Sequence, residues 1–382
     1  MSMFVRHAVK AAVALSMMGT ACFGQLYNQT NLVSNTSGVA PVTDPDLINP
    51  WGMSRGSGSP WWVSDNGTGF STLYNGAGAK QSLVVKIPAA VAGKVGTPTG
   101  TIFNGNATDF LLGPSQPADF LFATIDGIIA GWNPAVGVTM GMAPPSTNAV
   151  IAARGGKGSV YTGLTSAFID DKRYLYAANF GTGRVDVYDS AFHPVYFGEE
   201  RFDDDRLPPD FVPFNVQTIG NDIVVTYALH QDGNPVETDG PGLGYVDIYS
   251  SRGRLLVRLE HGDWLNAPWG VALAPLDFGR FSHDLLIGQF AGGGNTESSG
   301  WIAAYDLATG RFKGLLEDAS GKPLAINGVW ALSPGNVGPS NYDAASAPAA
   351  EVYFTAGPNQ GSGGLFGYLS PVSTELIQGN NQ

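Results

Sequence analysis

Hydrophobic positions along this chain fall in short clusters of about five residues, separated by Gly, Asn, Asp and Pro. Such clusters are too short for amphipathic helices, and their aromatic and β-branched content reads as strand. Six of them stand out: Trp61–Asp65, Phe120–Thr124, Tyr174–Asn179, Ile223–Tyr227, Leu285–Gln289 and Val352–Ala356. Each follows an opening strand marked by Gly or Trp and leads through a tight turn into another strand carrying Tyr or Trp. Asn66-Gly67 leads to Ser71–Tyr74, Asp126-Gly127 to Ile128–Trp132, and Gly181-Thr182-Gly183 to Val185–Tyr188. Gly242-Leu243-Gly244 leads to Tyr245–Tyr249, Gly300 to Trp301–Tyr305, and Gly363-Gly364 to Leu365–Tyr368. Asn-Gly and Asp-Gly supply the positive φ that two-residue hairpins require.

Six recurrences at near-regular spacing, each long enough for four strands and their loops, predict an all-β, six-bladed β-propeller with four-stranded antiparallel blades. Asn31-Leu32-Val33-Ser34, ahead of the first unit, suits an outer strand that closes the ring against Leu365–Leu369 and removes the free edge. The opening strands carry the clearest repeat. Asn49-Pro50-Trp51-Gly52 and Asn266-Ala267-Pro268-Trp269-Gly270 are near copies, with Asn327-Gly328-Val329-Trp330 and Asn215-Val216-Gln217 as weaker echoes.

These segments, with Phe180-Gly181-Thr182-Gly183 and Phe354-Thr355-Ala356-Gly357, resemble an uncharacterised bacterial family of secreted proteins with NHL-like six-bladed propellers. The resemblance covers nearly all of the chain after residue 24 and implies fold and location rather than chemistry. More distantly, the architecture looks like the calcium-dependent gluconolactonase propellers, although no clear glutamate stands in the first opening strand to act as that family's metal ligand.

Composition agrees with a turn-rich β protein: 52 Gly and 25 Pro in 382 residues, 43% hydrophobic and only 14% charged. The formal net charge of −12 argues against nucleic-acid and anionic-membrane partners. Arg6, His7 and Lys10 followed by the apolar run from Ala11 to Ala21 read as a secretory signal peptide, residues 1–24, cleaved after Gly24. Lipidation at Cys22 is the alternative, with Thr20-Ala21-Cys22 as its box. Either way the protein is expected to be secreted or periplasmic, with residues 25–372 as one propeller, 373–382 as a tail, no transmembrane segment, and a monomeric state. Loss of Cys22 would leave neither disulfides nor a thiol nucleophile.

Candidate chemistry is sparse. Gly52-Met53-Ser54-Arg55-Gly56 fits G-x-S-x-G, but a nucleophile elbow needs a helix after the serine, and Pro60-Trp61 begins a strand instead. His193, His230, His261 and His283 show no zinc-site spacing; the first and third sit beside turns, and the other two could face a loop cavity. Glu199–Arg206 is acidic but lacks the Gly and terminal Glu of a calcium loop and reads as an exposed inter-blade loop. The eight tryptophans read as packing between blades, with a sugar platform as the alternative.

The remaining candidates are polar residues at equivalent blade positions. Asp65, Asn179, Asn215 and Asn327 are candidate oxygen ligands for a divalent metal such as Ca²⁺ at the channel mouth, and Asn49, Asn266 and Gln289 are candidate ligand contacts. The same repetition would arise if each Asn simply bonded its own turn. Two functions follow: a binding or scaffold module for a small molecule, glycan or protein, or a divalent-metal-dependent hydrolase or lactonase at the mouth of the channel.

Overall fold

The computed structural model describes residues 26–198, 201–231, 236–290, 300–335 and 350–372. The signal segment, Cys22, Glu199-Glu200 and the tail from 373 lie outside the described residues. Among those described, the only helical element is the single turn Gly279–Phe281, and no helix is long and apolar enough to cross a membrane.

Six antiparallel sheets follow one another in chain order as blades, and a separate two-stranded hairpin, Leu111–Gly113 with Gln116–Pro117, lies within the first loop of blade 2. Blade 1 is Pro50–Ser54, Trp61–Asp65, Phe70–Tyr74 and Val85–Lys86, counted from the axis outward. Blade 2 is Pro98–Phe103, Phe120–Thr124, Ile128–Trp132 and Val150–Arg154; blade 3 is Tyr161–Ile169, Lys172–Asn179, Arg184–Asp189 and Pro194–Val195. Blade 4 is Phe211–Ile219, Asp222–Leu229, Gly244–Tyr249 and Leu255–Arg258; blade 5 is Pro268–Leu273, Leu285–Gln289, Ile302–Tyr305 and Phe312–Leu315. Blade 6 takes three strands from the end of the fold, Val329–Pro334, Val352–Ala356 and Leu365–Pro371, and its outer strand, Tyr27–Ser34, from the beginning. The pairing sets Ser34 opposite Leu365 and Tyr27 opposite Pro371, so the ring is closed by hydrogen bonds at the expected place. A short parallel strand, Val42–Thr43, lies outside it.

Second strands are buried at every position in blades 1, 2, 5 and 6 because a neighbouring blade covers each face. Continuous apolar runs, rather than alternation, are what that environment selects. Large rings fill the gaps between blades: Trp62 of blade 1 stacks on Phe120 of blade 2 at 4.1 Å between centroids, and Trp264 on Phe312 at 3.9 Å. Near the axis the blades touch backbone to backbone. A Cβ on Gly100 would stand 2.4 Å from the Leu164 nitrogen of the next blade, and one on Gly163 would stand 2.1 Å from the Asn215 side chain of the blade after that. Small residues in the inner strands are therefore required by the narrowness of the axis.

Candidate functional site

The inner strands all begin at one end of the ring, where the turns between second and third strands also gather. There the opening tryptophans of blades 1, 5 and 6 converge. Trp51 and Trp330 stack at 3.6 Å, and Trp269 meets both edge-on at 6.0 and 5.7 Å. Asn49 and Ala267, each preceding the Pro that leads into Trp, hold positive φ of 48° and 46°, a sparsely populated conformation shared by the two near-copy segments. The Asn49 Oδ1 accepts a hydrogen bond from Trp330 Nε1 at 2.9 Å, and Trp269 Nε1 donates to the Thr162 carbonyl at 3.0 Å. Trp51 Nε1 is buried with no partner among the described residues.

Above this cluster lies a cavity of about 430 Å³ to which all six blades contribute. Its aromatic wall comprises Trp51, Trp330, Phe180, Phe214 and Phe290, the last stacked on Trp330 at 4.1 Å. Two carboxylates, Glu237 and Asp239, enter from the connection between the second and third strands of blade 4. The Glu237 side chain is half-buried, and removal of water by the surrounding protein, reinforced by the charge of Asp239, pushes its pKa from 4.5 up to about 7. Below the tryptophans the channel narrows to a void of about 20 Å³ lined by residues such as Gly52, Leu164, Asn215 and Val271. That is room for about one water, so access to the cavity is from the mouth.

Of the seven polar residues proposed from the sequence, only Asn49 lines this cavity, and only Asn215 lines the void beneath it. Asn215 donates to the Trp269 carbonyl at 2.7 Å. Asp65 is fully buried; its Oδ2 accepts from the Thr72 amide and hydroxyl at 3.0 and 2.8 Å, its Oδ1 has no partner among the described residues, and burial holds its pKa well above the usual carboxylate range. Asn179 accepts from the Val160 and Thr182 amides and donates to Ser159 and Asp186. Gln289 accepts from the Asn266 amide at 2.9 Å, while the Asn266 side chain caps Gly240 at 2.8 Å. Asn327 is exposed. Most of these oxygens thus already serve turns and strand ends, and no group of three or more His, Cys, Asp or Glu able to hold a metal occurs among the described residues.

Other sequence candidates resolve similarly. Ser54 ends the inner strand of blade 1, and its hydroxyl accepts from the Phe103 amide at 2.9 Å, with no helix following. His193 and His283 are exposed; His261 stacks on Tyr245, and His230 lies against Phe180 at 4.5 Å, beside the mouth. The stretch expected as an exposed loop is partly buried. Phe202 inserts between Tyr176 and Tyr249 at 5.7 and 5.5 Å, and the two Asp204 carboxylate oxygens accept from Nε and Nη2 of Arg258. Alternation of Phe and Asp with exposed charges allows one loop to plug the seam while remaining polar. Tryptophans follow the packing expectation at Trp61, Trp62, Trp132 and Trp264, whereas Trp51 and Trp330 face the mouth.

Sequence reasoning missed Glu237, Asp239, Phe214 and Phe290. The available signal was the length of the blade 4 connection between Leu229 and Gly244, the longest of the six equivalent turns.

No family model matches the chain. Two uncharacterised proteins of Acanthamoeba polyphaga mimivirus are similar along most of it: one is 28% identical over 348 residues, 88% of this chain and 78% of the relative, and another 29% over 345 residues, 88% and 84%. These relatives are viral and lend no support to the expected bacterial family. Among solved structures, the PQQ-bound aldose sugar dehydrogenase of Streptomyces coelicolor is 13% identical with a TM-score of 0.48, covering 90% of this chain and 98% of that one. A streptogramin B lyase is 11% identical with a TM-score of 0.45, covering 90% and 97%, and a structure described as a gluconolactonase is 11% identical with a TM-score of 0.39, covering 72% and 88%. At these values the likenesses assign no chemistry to this chain.

Proposed function

We propose that the protein is a secreted or periplasmic binding module whose ligand enters the mouth of the propeller. The ligand class suited to that mouth is a small organic molecule with an apolar body and a cationic or hydrogen-bond-donating group. The observation that carries this reading is the joining of five aromatic side chains and two carboxylates in one cavity of about 430 Å³. Aromatic faces attract organic cations, and a desolvated carboxylate adds charge and direction. The test is calorimetric titration of the purified protein with alkyl- and arylammonium ions against the corresponding neutral alcohols. Ammonium ions should bind more tightly, with a change in tryptophan fluorescence, and Phe290→Ala should weaken them. Equal affinity for amine and alcohol, or binding insensitive to Phe290, overturns the reading.

A second reading, a hydrolase or lactonase at the same mouth, is favoured by the Glu237 pKa of about 7, which suits proton transfer at neutral pH. In its metal-dependent form, a cation such as Ca²⁺ would be held by oxygen-bearing side chains of the lining, among them Asn49, Glu237, Asp239 and Gln360. Turnover of lactones or esters that is lost in Glu237→Gln supports this reading. Absence of turnover sinks it, and absence of stoichiometric divalent metal together with no thermal shift on adding calcium sinks the metal-dependent form.

A further inference from the structure

The outer rim of blades 1 to 3 departs from the rest of the ring. Outer strands in blades 2, 4 and 5 run four or five residues, Val150–Arg154, Leu255–Arg258 and Phe312–Leu315, but those of blades 1 and 3 are only the dipeptides Val85–Lys86 and Pro194–Val195. In blade 3, Val187 pairs with Val195 and Tyr188 with Pro194, after which the chain leaves the sheet. Arg184, Val185 and Asp186 therefore have no strand on their outer side among the described residues. The vacated position is a groove of about 640 Å³, bordered by Arg184–Asp186 on the sheet side and by Tyr196 and Phe197, with Arg154 and Arg201 also in its wall. Tyr196 is 75% exposed.

A second groove of about 480 Å³ lies beside the other truncated strand. It shares Arg154 with the first and adds Lys86 and Lys94. Among the described residues of both walls Asp186 is the only acidic one, and it is occupied: its Oδ2 accepts from the Tyr161 hydroxyl and the Asn179 amide, and its Oδ1 lies 3.4 Å from Arg184. Among the described wall residues five basic side chains stand against one carboxylate, in a chain whose net charge is −12. They come from separate blades, so no basic run marks them in the sequence.

We propose that these joined grooves dock an extended acidic peptide from a partner protein, which adds as a strand against Arg184–Asp186 and places carboxylates on Arg154 and Arg184. Open backbone donors and acceptors favour a peptide, because strand addition takes its affinity from main-chain hydrogen bonds and its selectivity from alternate side chains. Arginine forks supply charge-assisted, directional contacts for the acidic side chains.

The test uses fluorescence polarisation on the full mature chain with a labelled decapeptide alternating Glu and Val. Controls are its Glu-to-Lys counterpart, the same acidic peptide N-methylated at alternate amides, and an oligogalacturonate of similar charge. The acidic peptide should bind at low salt, while the basic peptide should not. Affinity should fall about tenfold or more on N-methylation and in the Arg154→Glu/Arg184→Glu variant, whose exposed substitutions should leave the melting temperature unchanged. Glu237→Gln, altered only at the mouth, should bind the peptide normally. No binding, binding indifferent to charge reversal, binding indifferent to N-methylation, or oligogalacturonate binding as tightly as the peptide each overturns the proposal.

Discussion

Glu237 should make this protein less stable as pH rises, and replacing it by Gln should remove that loss. Its pKa is displaced upward from 4.5 to about 7, so the folded state holds the proton more tightly than the unfolded chain does. Between those two values the folded state carries more bound protons, and the stability of the fold falls with increasing pH; below 4.5 and above about 7 this group adds no slope. A displacement of that size corresponds to about 3 kcal/mol at 1.36 kcal/mol per unit, an upper bound because the side chain retains some contact with water. Gln keeps the shape and the hydrogen-bonding capacity but never ionises. Glu237→Gln should therefore match the parent protein near pH 4.5 and exceed it at pH 8 by up to about 3 kcal/mol, a melting temperature about 4 °C higher for a chain of this size. Asp247, raised to about 7 by burial and by neighbouring Asp204, slopes the parent curve in the same direction, so the measurement is the difference between variant and parent from pH 4.5 to 8. Chemical denaturation at each pH provides it. A flat difference refutes the reasoning; a variant less stable at pH 8 means that Glu237 is ionised and paired with a cation. An ammonium ligand should produce that reversal, its affinity rising through pH 7 in the parent and staying level in the variant.

Phe202→Ala should cost about 3–5 kcal/mol by emptying the seam between Tyr176 and Tyr249; urea unfolding measures it, and a loss under about 1 kcal/mol would show that the loop is not a wedge. Gly364→Ala should destabilise by more than about 2 kcal/mol, because its Cβ would stand 1.7 Å from the Leu47 carbonyl, where neither backbone can yield cheaply. Removing Tyr27–Ser34 should abolish the single cooperative melt followed by circular dichroism, since it strips the outer strand of blade 6; an unchanged melt would mean that ring closure contributes little.

Much of the fold was legible because the sequence states it six times. The hairpins and the buried second strands fall where repetition placed them, although the first turn spans Asn66–Gly69 with its positive φ at Gly69 rather than at Asn66-Gly67, and the segment around Val33 closes the ring. The same reliance on repetition gathered residues that the fold does not bring to one cavity. Asp65 and Asn179 recur at strand ends because each ties its strand to the next across the hairpin, Asp65 to Thr72 and Asn179 to Asp186, seven residues onward in both cases. A polar residue that every blade needs is explained by what every blade does. Asn49 reached the mouth by virtue of its place before a converging tryptophan. Glu237 lies in the longest of the connections between second and third strands, which does not match the short turns of blades 1 to 3 residue by residue, so a search for equivalents passes over it.

Departures from the repeat are therefore the more informative positions in such a ring. An idealised propeller would need neither a long connection in blade 4 nor a dipeptide outer strand in blade 3, and both cost stability: the first desolvates a carboxylate, the second leaves Arg184–Asp186 without an outer strand among the described residues. Costs of this kind persist where they create a surface with another use. The blade 4 connection brings acid into an aromatic cavity, and the truncated rims bring five cations together in an acidic protein. The two departures carry opposite charge and lie at separate cavities, so exchange of the blade 4 connection for the short turn of blade 3 should abolish ammonium binding and leave peptide binding intact. Loss of both together would mean that the exchange had disturbed the ring itself, and loss of neither would remove the mouth from consideration.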